Sequence, residues 1–207
     1  MIDCLQRIDT HLFYWVNSHH AAWLDWPLWV ASQGWSWAVV LTIAFLFLAL
    51  RHERHTWGWL AVGIALCFLF SDRISVICFK DVVCRLRPCH ALDGVRMFHT
   101  NCGGQYGFVS SHAANVFALA IFLAMRYWRA QRGSDGPTDK TGRQNSLFPI
   151  LIMLWACVVG YSRPYLGKHY PGDVLCGALV GLGLGALVYF LTVKGEQRLA
   201  KRKEKRK

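Results

Sequence analysis

The sequence predicts an all-α fold: a polytopic membrane helix bundle of about five transmembrane helices, with an N-terminal interfacial helix ahead of them. Three observations lead there. Of the 207 residues, 54% are hydrophobic and ten are tryptophan, a mixture unusual for an ordinary soluble domain. The apolar residues gather in five blocks: Trp35 to Leu50, Trp57 to Phe79, Phe108 to Trp128, Leu147 to Tyr161, and Val174 to Val193. Most approach the roughly 20 residues that a span requires. The cations behind the formal net charge of +11 collect between these blocks and after the last of them.

Ahead of the first block, Ile2, Leu5, Ile8, Leu12 and Trp15 recur every three or four residues, and Trp23, Trp26 and Trp29 follow. That is the pattern of a helix lying in the membrane interface. His19, His20 and Asp25 argue against a span here, and Asp9, His11, Asn17 and His19 interrupt any cleavable leader. The first span then directs insertion itself. Trp35 to Leu50 is short and borrows Ser32 or Gly34. Its stretch from Ala38 to Leu50 has only Thr42 as a polar residue, so it lacks the polar face of a soluble amphipathic helix. Leu147 to Tyr161 is short as well and borrows Ser162. Gly133 to Asn145, rich in Gly, Ser and Thr, reads as a mobile loop. The chain therefore divides into an interfacial segment (1 to 34), a membrane domain (35 to 193) and a basic tail (194 to 207).

Lys and Arg mark the cytoplasmic side of a span. Arg51 and Arg54, then Arg129, Arg132, Lys140 and Arg143, then the tail all fall on one side if there are five spans. The tail reads as a solvated anchor against anionic lipid, and nucleic acid is not an expected partner. The opposite, outer side receives Lys80, Arg85, Arg87, Arg96 and Lys168, a grouping that suggests work other than topology.

Three outer clusters carry chemistry. In "KDVVCRLRP", Lys80 and Arg87 stand seven residues apart, nearly two helical turns, and so share a helix face that Pro88 ends or redirects. Two cations there suit an anion, or else snorkel to lipid phosphate. In "GFVSSHAAN", Ser110 and Ser111 precede a long apolar helix, whose free N–H groups favour a phosphate, with His112 in its first turn. A plain cap followed by a buried histidine is the alternative. In "YSRPYLGKHYPGD", Pro164 breaks the fourth span after Arg163, and Pro171 opens the fifth helix. Asp173 then reaches back to His169 and can fix one imidazole tautomer, leaving the other nitrogen nucleophilic. A structural pair closing a loop is the other reading.

These motifs resemble those of the type 2 phosphatidic acid phosphatase family, K-x6-R-P, P-S-G-H and S-R-x5-H-x3-D. The first and third fit in full. The second departs, with Val109 in place of Pro and Ser111 in place of Gly, and a positive φ at Ser111 would be costly. The resemblance, from about Asp72 to Gly185, implies that His169 attacks phosphorus, Asp173 orients it, and His112 protonates the departing oxygen and then activates water. It also implies that Lys80, Arg87, Arg163, Ser110 and Ser111 hold the phosphate. The enzyme so implied is a lipid phosphatase of the bacterial inner membrane, needing no metal or other cofactor. Its substrate is a lipid phosphate or diphosphate such as undecaprenyl diphosphate, and its site faces the periplasm or exterior. Phosphatidic acid, phosphatidylglycerol phosphate or a lipid A phosphate are alternative substrates. A transporter or a silent lipid-binding protein would not need His169, Asp173 and His112 together.

Of eight cysteines, Cys67, Cys78, Cys157 and Cys176 lie in or beside apolar blocks and read as small hydrophobes. Cys84, Cys89 and Cys102 belong to the outer segment, where Cys89 and Cys102 are the preferred disulfide. His90 and His99 near them match no zinc-ligand spacing closely.

Overall fold

The computed structural model describes residues 2–51, 56–99, 101–133 and 147–206. Among these the chain is almost wholly helical, and the only strand-like pairing is an isolated antiparallel bridge between Leu86 and Tyr106. The elements are α1 (Ile2–Ser18), α2 (Ala22–Ala31), α3 (Gly34–Arg51) and α4 (Trp57–Ile74), which runs through a π-helical turn (Ser75–Lys80) into α5 (Asp81–Val83). There follow α6 (Pro88–Ala91), α7 (Ser111–Gly133), α8 (Leu147–Tyr165) and α9 (Pro171–Glu204). Beyond Gly133, the loop expected at Gly133 to Asn145 lies outside the described residues.

The bundle is organised around α7, against which α4, α8 and α9 pack. Ala113, Ala114, Ala118, Leu119, Phe122 and Leu123 of α7 are all fully buried. The approach of α9 is set by Gly177, Gly181 and Gly185, one every fourth residue. A Cβ at these positions would collide with the carbonyl oxygens of Ser110, Ala114 and Ala118. Small residues at this spacing let two backbones touch, which is how helices associate when lipid removes the hydrophobic drive between them. Overpacking costs typically about 1–3 kcal/mol. Gly181→Leu is therefore expected to lower the thermal midpoint of the detergent-solubilised protein. Gly183→Leu, where a Cβ meets nothing within 4 Å, should leave it unchanged. Equal midpoints for the two variants would contradict this packing.

Outward-facing residues are apolar: Trp35, Val39, Ile43 and Leu46 on α3, Leu69 on α4, Ile150 and Leu154 on α8, Leu179 and Phe190 on α9. Such a continuous apolar exterior suits lipid rather than water. Among the described residues three helical stretches are long and apolar enough to cross a membrane, namely Trp57–Val83, Leu147–Tyr165 and Pro171–Glu204. A fourth span forms if α2 and α3, bent by 66°, count as one. All five expected blocks are helical, but α7 is not apolar enough to count as a span by itself. Enclosed by its neighbours, it keeps Ser111, Asn115 and Arg126 buried against protein.

The ends differ from expectation. The residues after Val193 continue α9 to Glu204 instead of forming a separate tail. Glu196 there accepts hydrogen bonds from Arg126 (3.0 Å) and Arg129 (2.6 Å) of α7, so a cation counted for topology also ties two helices together. In front of the bundle stand two helices where one was expected. Along α1 the apolar stripe of Leu5, Ile8, Leu12 and Trp15 is exposed, whereas Phe13, Val16 and Asn17 are buried. The helix thus turns its stripe outward, as an interfacial helix does, and packs Phe13, Val16 and Asn17 against the protein.

Candidate active site

All three motifs meet at one end of the bundle, and the third is its frame. Pro164 does not break α8, which continues to Tyr165. The chain then turns through Gly167, whose φ of +77° favours glycine and whose added Cβ would lie 2.8 Å from the Arg96 carbonyl oxygen. Pro171 opens α9, as its missing N–H and fixed φ allow. This places His169 between two rigid helices with only 1% of its surface exposed. Asp173, in the first turn of α9, accepts the Tyr170 N–H at 3.1 Å through Oδ2. The same oxygen lies 3.6 Å from His169 Nδ1, close enough for charge but beyond a hydrogen bond. Nδ1 has no hydrogen-bond partner among the described residues. The expected carboxylate–imidazole pairing is therefore a facing arrangement, with the final contact unmade.

The second motif forms the start of α7. Ser110 is the residue before the helix, its carbonyl accepting the Ala114 N–H at 3.0 Å, and its own N–H donates to the Asp173 carbonyl at 3.0 Å. Ser111 avoids the positive φ that would have been costly; among the described non-glycine residues only Cys84 and His99 have one. The Ser111 hydroxyl pairs with that of Ser75, 2.7 Å away in the π-helical turn. His112 stands edge-on to the Trp37 ring with centroids 5.0 Å apart.

The first motif corrects the sequence reading. Lys80 and Arg87 do not share a helix face, because Cys84 adopts the left-handed conformation (φ 51°) and ends α5. Pro88 disfavours a helical Arg87, which is extended (φ −69°, ψ 154°), and Pro88 begins α6 instead of ending a helix. Arg87 is held from the other side, its N–H donating to the Gln105 carbonyl and its Nε to the Tyr106 carbonyl. The two cations still converge. Lys80, Arg87 and Arg163 all act electrostatically on His169.

These cations have an unusual environment. Arg163 is 1% exposed, yet its Nε has no partner among the described residues. None of Lys80, Arg87 and Arg163 belongs to an ion pair among those residues, whereas Arg85 and Arg96 pair with Asp9, Asp173 and Asp25. A buried charge without a counter-charge is costly, and a bound anion would relieve that cost. Burial, then the charges of Arg163, Arg87 and Lys80, hold the His169 imidazole well below the usual 6.5. Burial beside Arg163 and Arg87 likewise brings Lys168 down to about 8. His169 is thus neutral at physiological pH. Histidine NMR should show the imidazole signal absent from His169→Ala titrating below pH 6.5; a midpoint at or above 6.5 would contradict the burial.

Sequence reasoning missed the shell that holds this site. Arg96, grouped with the site cations, makes a two-pronged ion pair with Asp25 (3.0 and 2.6 Å), which also accepts the Tyr165 hydroxyl at 2.6 Å. Asn17 bonds the backbone of Arg96 and Tyr165. Together they clamp the segment around Arg96 to α1, α2 and α8. Cys89 and Cys102 are joined as preferred, across a Cα separation of 5.9 Å. His99 stacks on Trp26, with centroids 5.0 Å apart.

The sequence pattern of the PAP2 superfamily matches residues 56–196. A lipid A 4'-phosphatase of Bacteroides thetaiotaomicron is 33% identical over 96% of this chain and 83% of its own. Another lipid A 4'-phosphatase, from Porphyromonas gingivalis, is 29% identical over 91% of this chain and 74% of its own. The crystal structure of a transmembrane PAP2-type phosphatidylglycerolphosphate phosphatase from Bacillus subtilis superposes with a TM-score of 0.66 at 20% identity. It covers 94% of this chain and 87% of that one, a likeness of fold.

Proposed function

This chain belongs to the PAP2 superfamily, and from that premise we propose that it is a multi-pass membrane phosphatase removing a phosphate monoester from lipid A or a closely similar glycolipid. The observation that carries phosphate chemistry is the set of Lys80, Arg87 and Arg163 around His169, none of them in an ion pair among the described residues. Likeness to two lipid A 4'-phosphatases along nearly the whole chain supports the glycolipid over undecaprenyl diphosphate, the first expectation.

The proposed reaction runs through the residues in place. Since His169 Nδ1 faces Asp173, Nε2 attacks phosphorus. The N–P bond forms as the ester P–O bond breaks, and the departing oxygen takes a proton from His112. Lys80, Arg87 and Arg163, with the Ser110 hydroxyl and the Ser111 N–H, hold the phosphate oxygens as charge develops. His112 then removes a proton from water, whose oxygen attacks phosphorus, and the electron pair of the broken N–P bond returns to His169. The products are inorganic phosphate and the lipid alcohol. Asp173 stabilises positive charge on the imidazole while the phosphoryl group is attached. The three cations supply the charge compensation that magnesium provides in other phosphoryl-transfer sites. We place the enzyme in the inner membrane with this site facing the periplasm or exterior, on the asymmetry of Lys and Arg between the connections.

A panel of lipid A, phosphatidylglycerol phosphate, phosphatidic acid and undecaprenyl diphosphate in mixed micelles tests the substrate. Lipid A is expected to give the highest kcat/KM; faster turnover of undecaprenyl diphosphate would return the reading to the polyprenyl class.

A further inference from the structure

Resting on the reaction just described, we propose that Asp9 of α1 is a positioning residue for the nucleophile, acting through Arg85 on Asp173, so that the N-terminal helix is part of the catalytic apparatus. Asp9 lies outside the three motifs, and Arg85 fills one of the variable positions of the first. The Arg85 guanidinium bridges two carboxylates, one nitrogen 2.7 Å from Asp173 Oδ1 and the other 2.8 Å from Asp9 Oδ2. Its Cζ sits over the Tyr170 ring, 3.9 Å from the centroid. Asp9 Oδ1 also accepts the Gly172 N–H at 2.7 Å. A Cβ on Gly172 would stand 2.7 Å from Asp9 Oδ2, so glycine at this position is what lets α1 come so near.

Two consequences follow for His169. Arg85 engages Oδ1 of Asp173 and thereby fixes the carboxylate's rotation, which leaves Oδ2 facing Nδ1 of the imidazole. The second concerns charge. Alone with Arg85, Asp173 would be neutralised and would support positive charge on His169 weakly. With Asp9 sharing the guanidinium, the trio carries one net negative charge, in a place where Asp173 has no solvent exposure. Asp9 therefore frees Asp173 to act on the imidazole. A hydrogen-bonded partner that orients an active-site group in this way typically contributes roughly 10- to 100-fold.

The test uses the full chain in detergent micelles with lipid A, comparing Asp9→Asn, Asp9→Glu, Gly172→Ala and Asp173→Asn with His169→Ala as reference. Asp9→Asn is expected to lower kcat roughly 10- to 100-fold with KM little changed. Asp9→Glu should recover part of the loss, Gly172→Ala should resemble Asp9→Asn, and Asp9→Asn should add nothing in the Asp173→Asn background. A substrate-free readout accompanies them: 15N histidine spectra should show Asp9→Asn reducing the His169 tautomer protonated at Nδ1. Full additivity of Asp9→Asn with Asp173→Asn would mean that α1 acts only structurally and would overturn the proposal. So would unchanged kcat and tautomer in Asp9→Asn while His169→Ala is inactive, leaving the reaction itself standing. An active His169→Ala would instead remove the reaction on which the proposal rests.

Discussion

His169→Ala is expected to abolish phosphate release, by on the order of 10⁴-fold or more, because removing a nucleophile that acts as one unit with its partners forfeits most of what the unit provides. The loss should come without unfolding. His169 Nδ1 makes no hydrogen bond among the described residues, so the substitution breaks no bond at that nitrogen. The thermal midpoint of the variant in detergent, measured beside the phosphate assay, separates chemistry from stability. Near-normal turnover would show that the imidazole is not the group that attacks phosphorus, however well placed it is between α8 and α9.

His112→Ala should have an effect nearly as large, but one that depends on the substrate. The first chemical step needs a proton for the departing oxygen, and general acid catalysis contributes typically about 10²–10⁴-fold. A lipid alkoxide is a poor leaving group and needs that proton; nitrophenolate is already stable and does not. In the first turnover, His112→Ala is therefore expected to slow release of the lipid alcohol by about that factor and to leave release of nitrophenolate from nitrophenyl phosphate nearly unchanged. The steps after it need His112 for both substrates, because water must still be deprotonated. Nitrophenolate should consequently appear as a burst followed by slow turnover. Equal slowing of both substrates in the first turnover would remove His112 as the acid and assign it to phosphate binding.

The site residues that the sequence made legible are those whose chemistry is unusual where they stand. His169 and Asp173 beside Pro171 mark a helix start, and Pro171 does open α9. Ser110 before an apolar run marks another, and it does precede α7. Less legible was how the cations converge. Seven-residue spacing suggested a helix shared by Lys80 and Arg87, but Cys84 takes a left-handed conformation that nothing about cysteine announces. The outer shell was hidden for a different reason. Asp9 and Asn17 looked like interruptions of an apolar stripe, and only tertiary packing shows that α1 turns that stripe outward and Asn17 inward. Gly177, Gly181 and Gly185 carried a signal that could have been read, since small residues four apart mark a close helix crossing. The same spacing explains why α7, the most enclosed helix, is among the least apolar: its neighbours shield it from lipid.

The central claim is that phosphate passes through a covalent bond to His169. The most direct measurement combines the His112→Ala variant with 32P-labelled nitrophenyl phosphate, quenched in denaturing base within the burst, since an N–P bond survives base and breaks in acid. Attack should proceed and hydrolysis should stall, so labelled phosphate is expected on the peptide containing His169, lost on acid treatment and absent from the His112→Ala/His169→Ala double variant. A nitrophenolate burst with no label on the protein, or label on any other residue, would contradict the account.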